Sequence, residues 1–505
     1  MRQTVAKPES QPLSLALHTD KHMSRRALVV LLFIVILGAA ARFITLSRES
    51  VDGDELFSRS IALLPIHSGL DVVRNDLVHP PFYYLLLKAG TTVWGASILG
   101  IRLWSLVFGV ATLPLVMAVG TTLPGVRHAG VLAAAMLAVN EYHIFYSQQA
   151  RSYAFYTFLV MLLVFWVSAI TREGDQILSS VVGCSLMVLL LYTHYVAALY
   201  VLAVIVAILV CNVPKRTKIF VTLASVTAAM AFVPWIITLA GVYRARHGVG
   251  ENLDWQGHPS LYDLKGIWAS SLGIMEFKGA TTLAFCLVAM LSVTALIQLS
   301  RRQSLRDAPI IVALALVSIL PPLALFILSL KPFNYPLFGL RHLLPSIIAL
   351  CLFSCYGLET IARHFERHYR LLFATGSSVL LTFAFIPTFT AIAHGPSRYP
   401  YETIASAVRL QVDNGRKVYT TWPDGIAVTV NFYCRADCVQ PLPTDYSILG
   451  KQIVLLYRPH VPQEAQRYQD LIKEGFTAGF NTYYTNGRQS AFGTSMTLLT
   501  QERRN

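Results

Sequence analysis

Long apolar runs separated by short polar stretches make up the chain as far as about residue 394. A run of about 18 or more apolar residues is long enough to cross the hydrocarbon core of a bilayer as a helix. The pattern predicts spans over about 27–46, 98–121, 129–146, 153–170, 177–193, 196–212, 219–241, 280–299, 308–329, 341–358 and 371–392. The expected fold class is therefore a polytopic α-helical membrane protein with about 11 transmembrane helices. The stretch over 47–97 is too polar to span. It carries one short amphipathic piece near Leu56–Leu64 and a second after His79-Pro80-Pro81. The second, about a dozen residues long, suits a helix lying in the membrane interface.

Basic residues mark alternate ends of these runs: Lys21, Arg25 and Arg26; Arg127 and His128; Arg172; Lys215, Arg216 and Lys218; Arg301, Arg302 and Arg306; Arg363, Arg367 and Arg370. By the positive-inside rule they define the inner loops, and the longer loops fall outside. Counting the His79-Pro80-Pro81 segment as a span would send every later basic cluster outward. The resulting organisation is an inner tail over 1–26, a membrane domain over 27–394 with its first outer loop at about 47–97, and a soluble outer domain over 395–505. The first run reads as an uncleaved signal anchor, since no small-residue cleavage site precedes Arg42.

Beyond about Gly395 the pattern changes to that of a small α/β domain. Ile404–Leu410 and Glu464–Glu474 read as helices, and Lys417–Thr421 and Gln452–Tyr457 as buried strands. Of seven cysteines, five lie in apolar runs, where thiols pack as small hydrophobes. Cys434 and Cys438 stand alone in the outer domain, and a local disulfide is expected there rather than a metal site.

Composition agrees with this reading. The 505 residues are 54% hydrophobic and only 13% charged, and mean hydropathy is +0.53. The net charge of +14 comes from the short clusters between apolar runs and does not point to nucleic acid.

The candidate chemistry lies on the expected outer side. Asp52, Asp54 and Glu55 follow the first span; His79, Gln148, Gln149 and Arg151, Tyr192, His194 and Tyr195, and Arg341 and His342 flank later ones. Each has a plain structural alternative. Asp52 or Asp54 could cap a helix starting at Glu55, Arg151 could snorkel, and Tyr192 and Tyr195 could anchor the interface. Convergence of so many ionisable groups on one side of a membrane protein favours a water-filled site.

In this order, Asp54-Glu55, His79-Pro80-Pro81-Phe82-Tyr83-Tyr84, Trp94-Gly95 with Arg102, Tyr146 to Tyr153, His194-Tyr195 and Arg341-His342-Leu343-Leu344-Pro345 resemble the GT-C fold glycosyltransferases. The branch is the one that uses polyprenyl-phosphate sugars, related to protein mannosyltransferases and the aminoarabinose transferase (glycosyltransferase family 39-like). The resemblance covers the membrane part and not the C-terminal domain. It implies an inverting transfer of a sugar from an undecaprenyl- or dolichyl-phosphate donor to a lipid, glycan or protein acceptor. Asp54 is then the catalytic carboxylate, with Glu55 beside it and Asp52 as the alternative base. His79, Tyr83, Gln149, Arg151, Tyr192, His194, Arg341 and His342 are the substrate-binding candidates, the two arginines being suited to phosphate. Asp54, Glu55 and His79 could hold a divalent ion, Mg or Mn. Arg341-His342 stands where relatives often have Arg-Tyr. The expected location is a bacterial inner membrane with the C-terminal domain in the periplasm or outside. A transporter or flippase of a lipid-linked glycan is the competing reading, but it would place charges deep within the helices and repeat one half in the other.

Overall fold

The computed structural model describes residues 25–501, apart from 48–49, 173–175, 247–257, 274–277, 303–304, 331–336, 394–399, 460 and 487–488. The inner tail before Arg25, the middle of the loop after the seventh expected span, and the expected domain boundary at 394/395 lie outside the described residues.

A first helix, α1 (Arg25–Leu46), leads into three short ones: α2 (Gly53–Leu63), α3 (Ile66–Asp76) and α4 (Phe82–Trp94). The membrane bundle continues with α5 (Ile98–Thr121), α6 (Ala129–Ala138), α7 (Glu141–Tyr146), α8 (Tyr153–Ile170), α9 (Gln176–Thr193), α10 (Ala197–Val210) and α11 (Lys215–Arg246). It ends with α12 (Leu261–Ser270), α13 (Lys278–Arg302), α14 (Pro309–Leu328), α15 (Leu344–His364) and α16 (Tyr369–Ala393). Among the described residues eight helices are long and apolar enough to cross a membrane: α1, α5, α8, α9, α11, α14, α15 and α16. Three shorter apolar stretches, in α6, α10 and α13, stand at the other expected positions. The chain is a multi-pass membrane protein. Helix α4 has 13 residues, a rise of about 20 Å, too short to span.

The expected span over 129–146 is broken. Helix α6 stops at Ala138, and Asn140 starts α7 by accepting a hydrogen bond from His143 N. The break is held by Arg42 of α1, fully buried, which donates to the carbonyls of Leu137 (3.2 Å) and Ala138 (3.1 Å). These are last-turn carbonyls beyond the reach of the helix's own regular ladder; Leu137 O also accepts from Asn140 N at 3.3 Å, and the guanidinium completes the end. At the other end of α6, the buried Glu359 carboxylate of α15 accepts from the backbone N–H groups of Arg127, His128 and Ala129 at 2.8–2.9 Å. An acid at a helix N-terminus meets both its orphan donors and its dipole. Helix α15 begins at Leu344 rather than 341, because Pro345 sits in its first turn and Leu340–His342 forms a separate 3-10 turn.

After α16 the chain builds α17 (Tyr401–Asp413), α18 (Val428–Cys434) and α19 (Pro462–Lys473) around a five-stranded sheet. The strands β1 (Lys417–Thr420), β2 (Val439–Pro441), β3 (Gln452–Tyr457), β4 (Phe476–Asn486) and β5 (Gln489–Gln501) lie in the order β2-β1-β3-β5-β4. β1 is parallel to β2 and β3, whereas β5 is antiparallel to β3 and β4. The β4–β5 hairpin was not among the expected strands. Asn486-Gly487 between two alternating runs is a turn signal that marks it. The expected Cys434–Cys438 disulfide is not formed. Both are free thiols, and Cys434 Sγ is turned onto the Ala405 carbonyl of α17.

Candidate active site

The acidic turn is shaped by its first residue. Asp52 is the N-cap of α2, in extended backbone conformation, and its Oδ1 accepts from Glu55 N at 2.8 Å. Its other oxygen accepts from Gln149 Nε2 at 3.4 Å. Burial, then the charges of Glu55 and Asp54, push the Asp52 carboxyl up to about 8.

Capping by Asp52 sends the next two carboxylates in different directions. Glu55 is buried and turns into the bundle, where it takes two hydrogen bonds from Arg102 of α5, 2.8 Å from Nε and 2.6 Å from Nη2. The Ala150 backbone N–H donates to the same carboxylate at 2.8 Å. Arg102 also donates to the carbonyls of Leu46 and Ser50. This pair ties the end of α1, the acidic turn and the loop before α8 to one point.

Asp54 turns outward and is 53% exposed. Its Oδ2 lies 3.7 Å from Arg151 Nη2 and 3.8 Å from Arg341 Nη1. Arg151 is itself buried, with Nη1 donating to Ser58 Oγ and Nη2 to His79 Nε2, both at 3.3 Å. Two guanidiniums therefore face one accessible carboxylate across a gap slightly wider than a hydrogen bond.

Behind the arginines run three imidazoles. His79 and His194 have ring centroids 5.5 Å apart, His194 and His342 5.1 Å. All three are held below the usual imidazole range by burial first and by Arg151 and Arg341 after it, His194 to about 3. Tyr83 lines a small cleft with His79, Tyr84 and Arg151, and its hydroxyl meets Ser105 Oγ at 3.1 Å.

The structure thus gathers Asp52, Asp54, His79, Tyr83, Gln149, Arg151, His194, Arg341 and His342, from segments as distant as the first loop and the turn before α15. Two others stand apart from this group. Glu55 is paired with Arg102 inside the bundle. Tyr192 points away: its hydroxyl donates to the Ala231 carbonyl of α11 at 2.9 Å, and its ring packs on Phe232. The proposed ion ligands Asp54, Glu55 and His79 do not fit a metal, because Arg102 holds one and Arg151 another. No group of three His, Cys, Asp or Glu side chains able to hold an ion occurs among the described residues.

Sequence reasoning gave no role to Arg102 or Arg42, although each is a charge at the edge of an apolar run, which is a signal in itself. It also missed Tyr433 of α18, whose hydroxyl accepts from Val51 N at 2.8 Å, one residue before the cap.

This bundle with its appended sheet is the GT-C membrane fold. No family model matches the chain, and no curated protein does. Among solved structures it is similar to ArnT from Cupriavidus metallidurans bound to undecaprenyl phosphate, with TM-score 0.55 and 12% identity over 94% of this chain and 98% of that one. It is similar also to the archaeal oligosaccharyltransferase AglB from Archaeoglobus fulgidus in complex with an inhibitory peptide and a dolichol-phosphate, with TM-score 0.53 and 12% identity over 91% and 73%. A complex of the Archaeoglobus fulgidus oligosaccharyltransferase with Zn and sulfate gives TM-score 0.54 and 11% identity over 90% and 72%.

Proposed function

We propose that the chain is an integral-membrane glycosyltransferase that moves a sugar from a polyprenyl-phosphate donor to a hydroxyl of a lipid, glycan or protein acceptor. The observation that carries this reading is the accessible Asp54 carboxylate facing Arg151 and Arg341. The chemistry needs both signs of charge at one place. An acceptor hydroxyl is a poor nucleophile until a carboxylate takes its proton, and a departing phosphate gathers negative charge that cations stabilise.

In this reading the acceptor hydroxyl gives its proton to Asp54 as its oxygen bonds to C1 of the sugar. The C1–O bond to phosphate breaks on the opposite face, with inversion, and its electron pair leaves on the phosphate against Arg151 and Arg341. Fork-shaped guanidiniums suit those oxygens. Asp52 is the weaker candidate for the base, because one oxygen is spent on the cap and its raised pKa keeps a proton on it near neutrality. No step runs through a metal ion. The likeness to structures bound to undecaprenyl phosphate and dolichol-phosphate supports a polyprenyl carrier. The loop charges support placing the site and the C-terminal domain on the outer face of the membrane, which in a bacterial inner membrane is the periplasmic side.

The test is sugar transfer in membranes from labelled polyprenyl-phosphate sugars, comparing wild type with Asp54→Asn. Loss of at least about 100-fold, roughly 3 kcal/mol of transition-state stabilisation, with donor binding kept, is expected. Equal rates would remove Asp54 as the base. A wild type that transfers no sugar but moves lipid-linked glycan across vesicles would overturn the reading.

A further inference from the structure

The three imidazoles are not interchangeable, because fixed donors decide where each carries its proton. The Val196 backbone N–H can only donate, and it points at His194 Nδ1 at 3.2 Å. A neutral His194 must then carry its proton on Nε2. That nitrogen lies 3.3 Å from His342 Nδ1, so His194 donates and His342 Nδ1 accepts. The proton of a neutral His342 is thereby placed on Nε2, which has no partner among the described residues. Half-buried His342 directly follows Arg341 in the chain, and Arg341 is one of the two guanidiniums facing Asp54.

The surroundings make this a built arrangement. His194 stacks on Tyr156, with centroids 4.8 Å apart and 23° between planes. The hydroxyls of Tyr156 and Tyr200 both donate to the His342 carbonyl, at 2.9 and 3.3 Å. One tyrosine thus fixes the backbone of His342 and the face of the ring that orients it. The charged groups facing the pair are Arg151 and Arg341, which oppose a third positive charge, as does burial.

We propose that His194 is a positioning residue that locks His342 in the Nε2–H tautomer, so that His342 offers a neutral hydrogen-bond donor to a substrate oxygen beside Arg341. The substrate half of this inference rests on the glycosyltransferase reading; the tautomer half does not. A neutral donor adds direction without adding charge. Two guanidiniums attract any anion, whereas a single oriented N–H selects an oxygen at one position, a phosphate or sugar hydroxyl oxygen. No proton is transferred through the histidines.

The experiment has two arms on the full-length protein in lipid nanodiscs. In the first, 15N-histidine spectra at pH 7 without substrate are taken of wild type and His342→Gln, the difference assigning the His342 signals. A protonated Nε2 and a bare Nδ1 are expected; a proton on Nδ1, or on both nitrogens, overturns the proposal. In the second, His194→Phe keeps the stack on Tyr156 but cannot donate. It should mix the His342 tautomers and raise the donor KM or lower kcat about tenfold, the scale of one oriented hydrogen bond. His194→Gln, with an amide N–H to aim at His342 Nδ1, should recover most of that loss. Wild-type kinetics in His194→Phe, or no recovery in His194→Gln, would overturn the positioning role. Should the protein transfer no sugar at all, the first arm still decides the tautomer.

Discussion

Glu55 and Arg102 form a buried bidentate ion pair, 2.6 Å at its shortest, although Glu55 is the immediate chain neighbour of the accessible Asp54. Two adjacent acids therefore do opposite work. Removing one partner of a buried pair leaves an uncompensated charge and costs about 3–5 kcal/mol. Glu55→Gln is expected to lower the thermal midpoint and the yield of folded protein. Replacing both residues, as Glu55→Gln with Arg102→Met, should recover part of the loss, a coupling that a double-mutant cycle reads directly. Unchanged stability of Glu55→Gln together with lost transfer would instead make Glu55 catalytic.

The Asp52 carboxyl predicts a pH dependence of stability. Its pKa is about 8 in the folded protein and about 3.9 in an unfolded chain. The folded state holds this proton more tightly, so the contribution is complete below about pH 4, declines as pH rises, and is gone above about pH 8. Asp52→Asn keeps a capping oxygen and removes the ionisation. Its thermal midpoint should exceed that of wild type by more at pH 8.5 than at pH 5. A constant difference between the two would mean that Asp52 titrates normally.

Tyr433 brings the C-terminal domain to the acidic turn by accepting the Val51 N–H. Tyr433→Phe leaves that backbone donor without its partner, at a cost of about 1 kcal/mol. Because Val51 precedes the cap, the expected effect is a several-fold fall in kcat with the donor KM little changed, measured in the same transfer assay. Loss of stability with kcat intact would limit Tyr433 to holding the domain in place.

Tyr192 supplies a contrast. Its hydroxyl bonds to a carbonyl of α11, away from the arginines. Tyr192→Phe should change transfer by less than about twofold, within the range of an ordinary peripheral substitution. A larger fall would mean that the substrate reaches the α9–α11 seam.

The apolar runs alone marked where the bundle's helices lie, eight of them long and apolar enough to cross a membrane among the described residues, because a bilayer demands long apolar runs whatever the fold. The polar clusters between them also stood out in the sequence, since Asp54, Arg151 and Arg341 have no reason to recur at one end of such runs unless something polar gathers there. The break at Asn140 did not, because a side chain from another helix, Arg42, makes it tolerable. The three neighbouring acids could not be told apart by spacing. Which one caps, which is buried and which stays open depends on Arg102, Gln149 and Arg151, brought in from 47, 97 and 97 residues away. Nor could spacing separate His194 from Tyr192, two residues apart at the end of α9 and facing different helices. Apolar length and loop charge are local properties, so the sequence by itself determined the helices and the end at which the polar residues collect. Ion pairing, capping and proton placement depend on distances across the bundle, and only the tertiary structure decided those.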